Sequence, residues 1–232
     1  MLTSGLVTCF LSHKCNDQAH AFADQLAAAL KPFQVALLKD PFETGHEITT
    51  RIHTVEFHAF AFLLCPESWA SAVCQEELRT ARAQSVPIMT VRLAGAVPSE
   101  LKERLYKNVG GLAGGALEQA QAELAAIIAI RARLYRRIAA LNPNNPPEVT
   151  RAVAQSLSDD ADRTLIAESL DHIASFYRLE ADETTRFWLA LAVGKAGTCK
   201  AREILKRFSW ESHPFPKEGI RQAQEMLSGV CG

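Results

Sequence analysis

The first part of the chain alternates short apolar runs with amphipathic stretches. Five runs rich in aliphatic, aromatic and β-branched residues predict buried strands at residues 6–11, 33–38, 59–64, 86–93 and 106–109. Between these runs, apolar residues recur at helical spacing, as at Ala19, Phe22, Leu26 and Leu30. Buried strands that alternate with helices are typical of parallel βαβ units. The pattern therefore predicts an α/β domain built on a doubly wound parallel sheet.

The second part of the chain carries no strand pattern. Residues 141–147 contain three prolines and three asparagines, which oppose both helix and strand. Beyond them, helices are predicted at residues 149–157, 162–176, 183–194, 200–208 and 216–227. Within this part, residues 190–208 resemble the helix, glycine turn and helix of a HEAT-like repeat. The predicted organisation is an α/β domain at 1–140, a linker at 141–147 and a small all-α domain at 148–232.

The composition of the chain limits the expected location and ligands of the protein more than it limits the expected fold. With 25 basic and 26 acidic residues the net charge is −1, which gives no electrostatic footprint for nucleic acid or an anionic membrane. The six cysteines form no C-x-x-C pair and no framework spacing, so we expect neither disulfides nor a zinc site. No signal peptide and no apolar run of membrane-spanning length is evident. These features predict a soluble, cytoplasmic protein that binds no metal.

The predicted topology brings polar residues to one edge of the sheet. In the flavodoxin-like strand order 2-1-3-4-5, ligands bind beyond the carboxyl ends of strands one and three. Strand one runs into Ser12 and His13, and strand three runs into Cys65 and a helix that is predicted to end near Ala83. The candidate site residues at this edge are Ser12, His13, Glu67, Ser68, Glu76 and Glu77.

Five segments resemble, in order and in spacing, the successive segments of Toll/interleukin-1 receptor (TIR) domains. They read F-L-S-H at 10–13, D-P-F-E-T-G at 40–45, C-P-E-S at 65–68, S-x-x-C-x-x-E-L at 71–78 and V-P-I-M-T-V-R-L at 86–93. The resemblance covers residues 5–135. TIR domains are either adaptor modules or enzymes that cleave NAD⁺ at the nicotinamide–ribose bond. For an enzyme, the resemblance implies an NAD⁺ hydrolase, with NAD⁺ as its substrate and with no further cofactor.

The resemblance also implies a set of site residues. The essential acid of TIR enzymes is the glutamate of the C-x-x-E-L segment, which corresponds to Glu77 in this chain. One carboxylate suits this chemistry, because nicotinamide leaves as a neutral amide and needs no general acid, unlike the leaving groups of most glycosidases. Residues 40–46 would form a lid over the pocket. The implied substrate-binding residues are Phe10, Ser12, His13, Asp40, Phe42, Gly45, Ser68, Trp69 and Cys74.

Several of these patterns also have plainer interpretations. Glu76, beside Glu77, is expected at the helix surface, where it can pair with Arg79. The histidines near the strand ends lack a ligand spacing such as H-E-x-x-H, and Cys74 has the character of a small core residue. The glycines at 110–115 lack the G-x-G-x-x-G order and predict a turn.

Three functions stay open on the sequence alone. The first is an NAD⁺ hydrolase activated by self-association through the TIR domain, in bacterial immunity or signalling, with the helical domain available for a protein partner. The second is a non-catalytic TIR scaffold that mediates protein–protein interaction. Val73, which stands where many TIR enzymes have tryptophan, and the missing aromatic pair of the third TIR segment favour the scaffold. The third is a nucleotide-signal receptor that binds a cyclic or NAD-derived ligand in the crevice without hydrolysing it.

Overall fold

A computed structural model of the chain describes residues 6–14, 17–39, 52, 55–102, 106–159 and 163–230. The chain forms two compact units, which divide between Tyr135 and Arg136. This division lies inside a long helix, a few residues before the linker predicted at 141–147. Residues 141–146 themselves form neither helix nor strand.

The first unit contains a five-stranded parallel sheet with the order β2-β1-β3-β4-β5. This is the flavodoxin-like order, so the predicted fold class is confirmed. β1 and β3 are neighbours, and their register places Ser12 opposite Phe62 at the carboxyl edge of the sheet. The strands are β1 (Val7–Ser12), β2 (Val35–Lys39), β3 (Ala59–Leu64), β4 (Ile88–Arg92) and β5 (Tyr106–Asn108).

Helices cover both faces of this sheet. Side chains alternate across a strand, so Cys9 and Leu11 join one core with α1 and α5, while Phe10 joins a second core with α3. Phe10, Phe60 and Ser12 lie on this second face, because Phe10 is paired with Phe60 and Ser12 follows Phe10 by two residues. The helices are α1 (Asp17–Leu30), α2 (Pro66–Ala70), α3 (Ala72–Ala83), α4 (Ser99–Lys102) and α5 (Gly114–Ala139).

The second unit is all-helical, as the sequence predicts. α9 lies at its centre and packs against α6 and α11. A Cβ added at Gly194 of α9 would lie 2.8 Å from the Cα of Ala223, so this glycine permits the close approach of α9 and α11. The helices are α6 (Pro147–Asp159), α7 (Arg163–Glu168), α8 (Leu170–Leu179), α9 (Glu183–Lys195), α10 (Cys199–Arg207) and α11 (Pro214–Met226).

One expectation about the cysteines is wrong. Cys199, at the start of α10, is disulfide-bonded, whereas Cys9, Cys65 and Cys74 are free and buried. Spacing along the chain could not reveal this, because a disulfide depends on which residues the fold brings together. None of the helices in the described ranges is both long and apolar enough to cross a membrane.

Candidate functional site

The turn after β3 fixes the position of the candidate site. Cys65 begins α2 through a reciprocal cap, in which its backbone N–H donates to Ser68 Oγ at 2.9 Å and its Sγ accepts from the Ser68 N–H at 3.4 Å. α2 ends after one turn at Ser71. The Ser71 side chain then caps α3 by accepting from the backbone N–H of Cys74. This break starts a new helix that contacts β1.

A buried hydrogen bond joins α3 to the end of β1. Ser12 Oγ donates to Glu77 Oε2 at 2.6 Å, although the two residues are far apart in sequence. Ser12 is 1% exposed and Glu77 is 3% exposed. A buried carboxylate is costly unless it is hydrogen-bonded, and a short bond from a hydroxyl supplies part of that compensation. The pair lies at the sheet edge where ligands bind in flavodoxin-like folds.

The two adjacent acids of α3 lie in different environments. Glu76 is partly exposed and forms an ion pair with Arg79, as the sequence predicts, whereas Glu77 points inward to Ser12. Neighbouring residues of a helix are rotated by about 100° from each other, so one of two adjacent acids can be buried while the other stays at the surface. The acid selected by the TIR resemblance is therefore the buried one.

Cys74 lies one helical turn before Glu77 on the same side of α3. It belongs to the core that includes Phe10 and Leu78, which agrees with its interpretation as a small core residue. Burial raises the pKa of its thiol; the hydroxyls of Ser71 and Ser12 oppose this rise, and the charge of Glu77 adds to it. The thiol is therefore protonated at neutral pH and is not activated as a nucleophile.

Lys14 is not among the site residues that the sequence predicts. It is exposed just beyond β1, two residues after Ser12, and its charge lowers the pKa of the Cys74 thiol. The signal that could have found it is its position as the first charged residue after strand one. A cation there could contact an anionic ligand at this edge.

His13 follows Ser12 and is half-buried. Burial is the main reason that the pKa of its imidazole is lowered, and the charges of His20 and Lys39 lower it further. The rings of His13 and His20 meet edge to face at 5.3 Å. Within the described ranges, no group of three or more histidine, cysteine or acidic side chains could hold a metal ion.

The other predicted site residues lie around this cluster or outside the described ranges. Phe10 is buried and stacks on Phe60, so it forms core packing beneath Ser12. Ser68 is fully buried, and its hydroxyl donates to the Leu63 carbonyl at 2.7 Å, so it holds the cap of α2. Trp69 is half-buried with its ring edge-on to Phe62. Asp40, Phe42 and Gly45 lie outside the described residues.

The structure therefore brings together Ser12, Cys74 and Glu77, with His13 and Lys14 following Ser12 in the chain. These features define the class of the first unit as an α/β domain of flavodoxin-like topology with a buried serine–carboxylate pair at its carboxyl edge. Comparison of the chain with family models, with curated proteins and with solved structures gave no match. Membership of the TIR family consequently stays a prediction that rests on the five segments.

Proposed function

We propose that the first unit hydrolyses NAD⁺ at the nicotinamide–ribose bond, with Glu77 as its catalytic carboxylate. The observation that supports this proposal is the buried hydrogen bond that the Ser12 hydroxyl donates to the Glu77 carboxylate. Of the two adjacent glutamates, the one in the C-x-x-E-L position is held at the carboxyl edge of β1, where this topology offers a ligand crevice.

The chemistry fits a single carboxylate. The bond between C1 of the ribose and the pyridinium nitrogen breaks, and nicotinamide leaves as a neutral molecule with the bonding electrons. Positive charge develops on the ribose ring, and a fixed carboxylate beside it stabilises that charge, more strongly because the surroundings are apolar. Water then adds to C1 and loses a proton, which completes hydrolysis to ADP-ribose.

The remaining parts of the proposal concern regulation. We propose that chains associate through the TIR-like unit and that association raises activity, in keeping with the TIR resemblance. The helical unit would bind a protein partner, and bacterial immunity or signalling would be the setting. NAD⁺ is the substrate, and no metal or additional cofactor takes part.

The adjacent acids provide a matched pair of variants for testing the reaction. In concentrated full-length protein, Glu77→Gln should reduce nicotinamide release by about 100-fold or more, the scale of losing one electrostatic contact to a transition state. Glu76→Gln should leave the rate unchanged, because its partner is an exposed arginine. Nicotinamide would be measured by chromatography, and circular dichroism would show that both variants fold. Undiminished release in Glu77→Gln, or no release from the assembled wild type, would refute the proposal.

A second candidate function is a non-catalytic scaffold. Glu77 is nearly fully buried and accepts from Ser12, an arrangement that also suits a carboxylate that only links α3 to β1. Val73, in the position of the TIR tryptophan, is half-buried on the same helix. Equilibrium dialysis with NAD⁺ separates the two functions, because a scaffold would assemble without binding the nucleotide.

A further inference from the structure

We infer that Ser12 is a positioning residue that orients the Glu77 carboxylate, and not a ligand of the substrate. This inference rests on the proposed function, and it changes the role that the TIR resemblance implies for Ser12. A serine hydroxyl has one proton to donate, and Ser12 donates it to Glu77 Oε2 at 2.6 Å. The same hydroxyl cannot then donate to a ribose oxygen.

The two partners are held by different elements of the first unit. Ser12 is the last residue of β1, it is paired with Phe62 of β3, and it is 1% exposed, so its backbone is fixed by the sheet. Glu77 lies within α3, which contacts β1. A glutamate side chain has several rotatable bonds, and a hydrogen bond from a rigid strand restricts the rotation of its carboxylate.

The titratable and charged groups of this cluster are few among the described residues. Cys74 lies one helical turn before Glu77 and carries a protonated thiol, and His13 and Lys14 follow Ser12 at the end of β1. A hydroxyl donor stabilises the charged form of a carboxylate, so Ser12 favours the ionised state that the proposed reaction uses. Removing the Ser12 hydroxyl should therefore slow the reaction and should also move the acid limb of its pH–rate profile to higher pH.

The kinetic test compares Ser12→Ala with a matched control elsewhere on the sheet. Thr90 of β4 is fully buried, its register with Phe62 places it on the Ser12 face, and its hydroxyl has no partner in the described part of the chain. We expect Ser12→Ala to lower kcat about 10- to 100-fold, the factor that a hydrogen bond to a charged group contributes. The KM for NAD⁺ should stay the same, and the acid limb of the pH–rate profile should move to higher pH. Thr90→Val should change none of these.

Two further variants keep the test decisive if Ser12→Ala folds poorly. Ser12→Thr retains the hydroxyl and should keep most of the activity, whereas Ser12→Cys retains the volume with a weaker donor and should fall between wild type and Ser12→Ala. An increase in KM at unchanged kcat in Ser12→Ala would overturn the inference, because it would show that Ser12 contacts the substrate.

A second measurement does not depend on NAD⁺ turnover. In protein labelled with ¹³C at the glutamate carboxyl, the Glu77 resonance is identified by its absence from Glu77→Gln. It should titrate at higher pH in Ser12→Ala than in wild type, and at an unchanged pH in Thr90→Val. An unchanged titration in Ser12→Ala would overturn the inference even in an active enzyme. A shifted titration in a protein without NAD⁺ turnover would instead refute the proposed function while supporting the link between Ser12 and Glu77.

Discussion

Burial determines the chemistry available to individual side chains in the first unit. Glu76 and Glu77 differ in their environment and not in their chemical nature, since one pairs with Arg79 at the surface and the other accepts from Ser12 in the interior. The cysteines show the same effect, because burial without a cation in contact disfavours the thiolate. Burial thus supports a role for one carboxylate and weakens the case for a nucleophilic thiol.

Cys9 and Cys74 provide a prediction at this scale. Cys9 is fully buried, and burial raises the pKa of its thiol to about 12; burial also raises the pKa of the Cys74 thiol. Because alkylating reagents react with accessible thiolates, we expect N-ethylmaleimide to modify both residues slowly in native protein at pH 8 and rapidly in urea. Mass spectrometry of the tryptic peptides would measure this. Rapid native modification of Cys74 would contradict its place in the core and would revive the nucleophile hypothesis.

Part of the candidate site was predictable because it depends on topology. Once the strand order 2-1-3-4-5 is expected, Ser12 and the helix after strand three fall at the same sheet edge. The hydrogen bond from Ser12 to Glu77 could not be predicted, because it depends on the register of β1 and on the rotation of α3. The same holds for Ser68, whose position in the sequence suggested a ligand contact but whose hydroxyl holds the cap of α2.

At the scale of elements, a strongly apolar run predicted the position of a strand accurately. A weak interruption of a helical pattern did not predict where one helix ends and the next begins. The strand predicted at 59–64 matches β3 residue for residue. Every side chain of β3 is buried, so the whole strand is apolar and its limits are visible in the sequence. The helix predicted at 162–176 is instead two helices, α7 and α8, interrupted at Ser169. No glycine or proline marks that break, and serine is only mildly unfavourable within a helix. Local pattern alone therefore could not locate it.

The start of α9 provides a prediction at this scale. Asp182 accepts from the Thr185 N–H at 2.8 Å and from the Thr185 hydroxyl at 2.6 Å, and it pairs with Arg151. We expect Asp182→Ala to lower the free energy of unfolding by about 1–2 kcal/mol at pH 7, the usual cost of losing such a cap. Asp171→Ala is the matched control, since Asp171 is exposed and pairs with the exposed Lys200, and it should cost less than about 1 kcal/mol.

The effect of Asp182 should depend on pH. Burial acts to raise the pKa of this carboxyl, but hydrogen bonds from Arg151 and Thr185 outweigh burial and hold the pKa below its ordinary value. A carboxyl with a lowered pKa in the folded state contributes stability above its unfolded pKa and loses it as the pH falls through the folded value. Urea unfolding at pH 7 and at pH 3 should therefore show a smaller difference between wild type and Asp182→Ala at pH 3. An equal difference at both pH values would contradict the role of the ionised carboxylate.

At the scale of the whole molecule, the chain combines two compact units and has a net charge close to zero. The division between the units falls at Tyr135 and Arg136, within the residues of α5, whereas the proline-rich segment at 141–146 forms neither helix nor strand. A proline-rich segment reports a local break in regular structure, whereas a unit is defined by the contacts of its residues with distant ones. With a net charge of −1, repulsion between copies of the chain is weak near neutral pH.

Self-association gives a prediction for the whole molecule. If association activates the proposed NAD⁺ hydrolase, nicotinamide release per chain should rise with protein concentration and level off where assembly is complete. Mass photometry or light scattering on the same samples would report assembly, and chromatography would report nicotinamide. Adding an excess of inactive Glu77→Gln chain to dilute wild type should raise the activity per wild-type chain, because the variant retains the associating surface and lacks only the carboxylate. Activity per chain that stays constant while assembly increases, or that does not respond to the added variant, would show that a single chain forms the complete site.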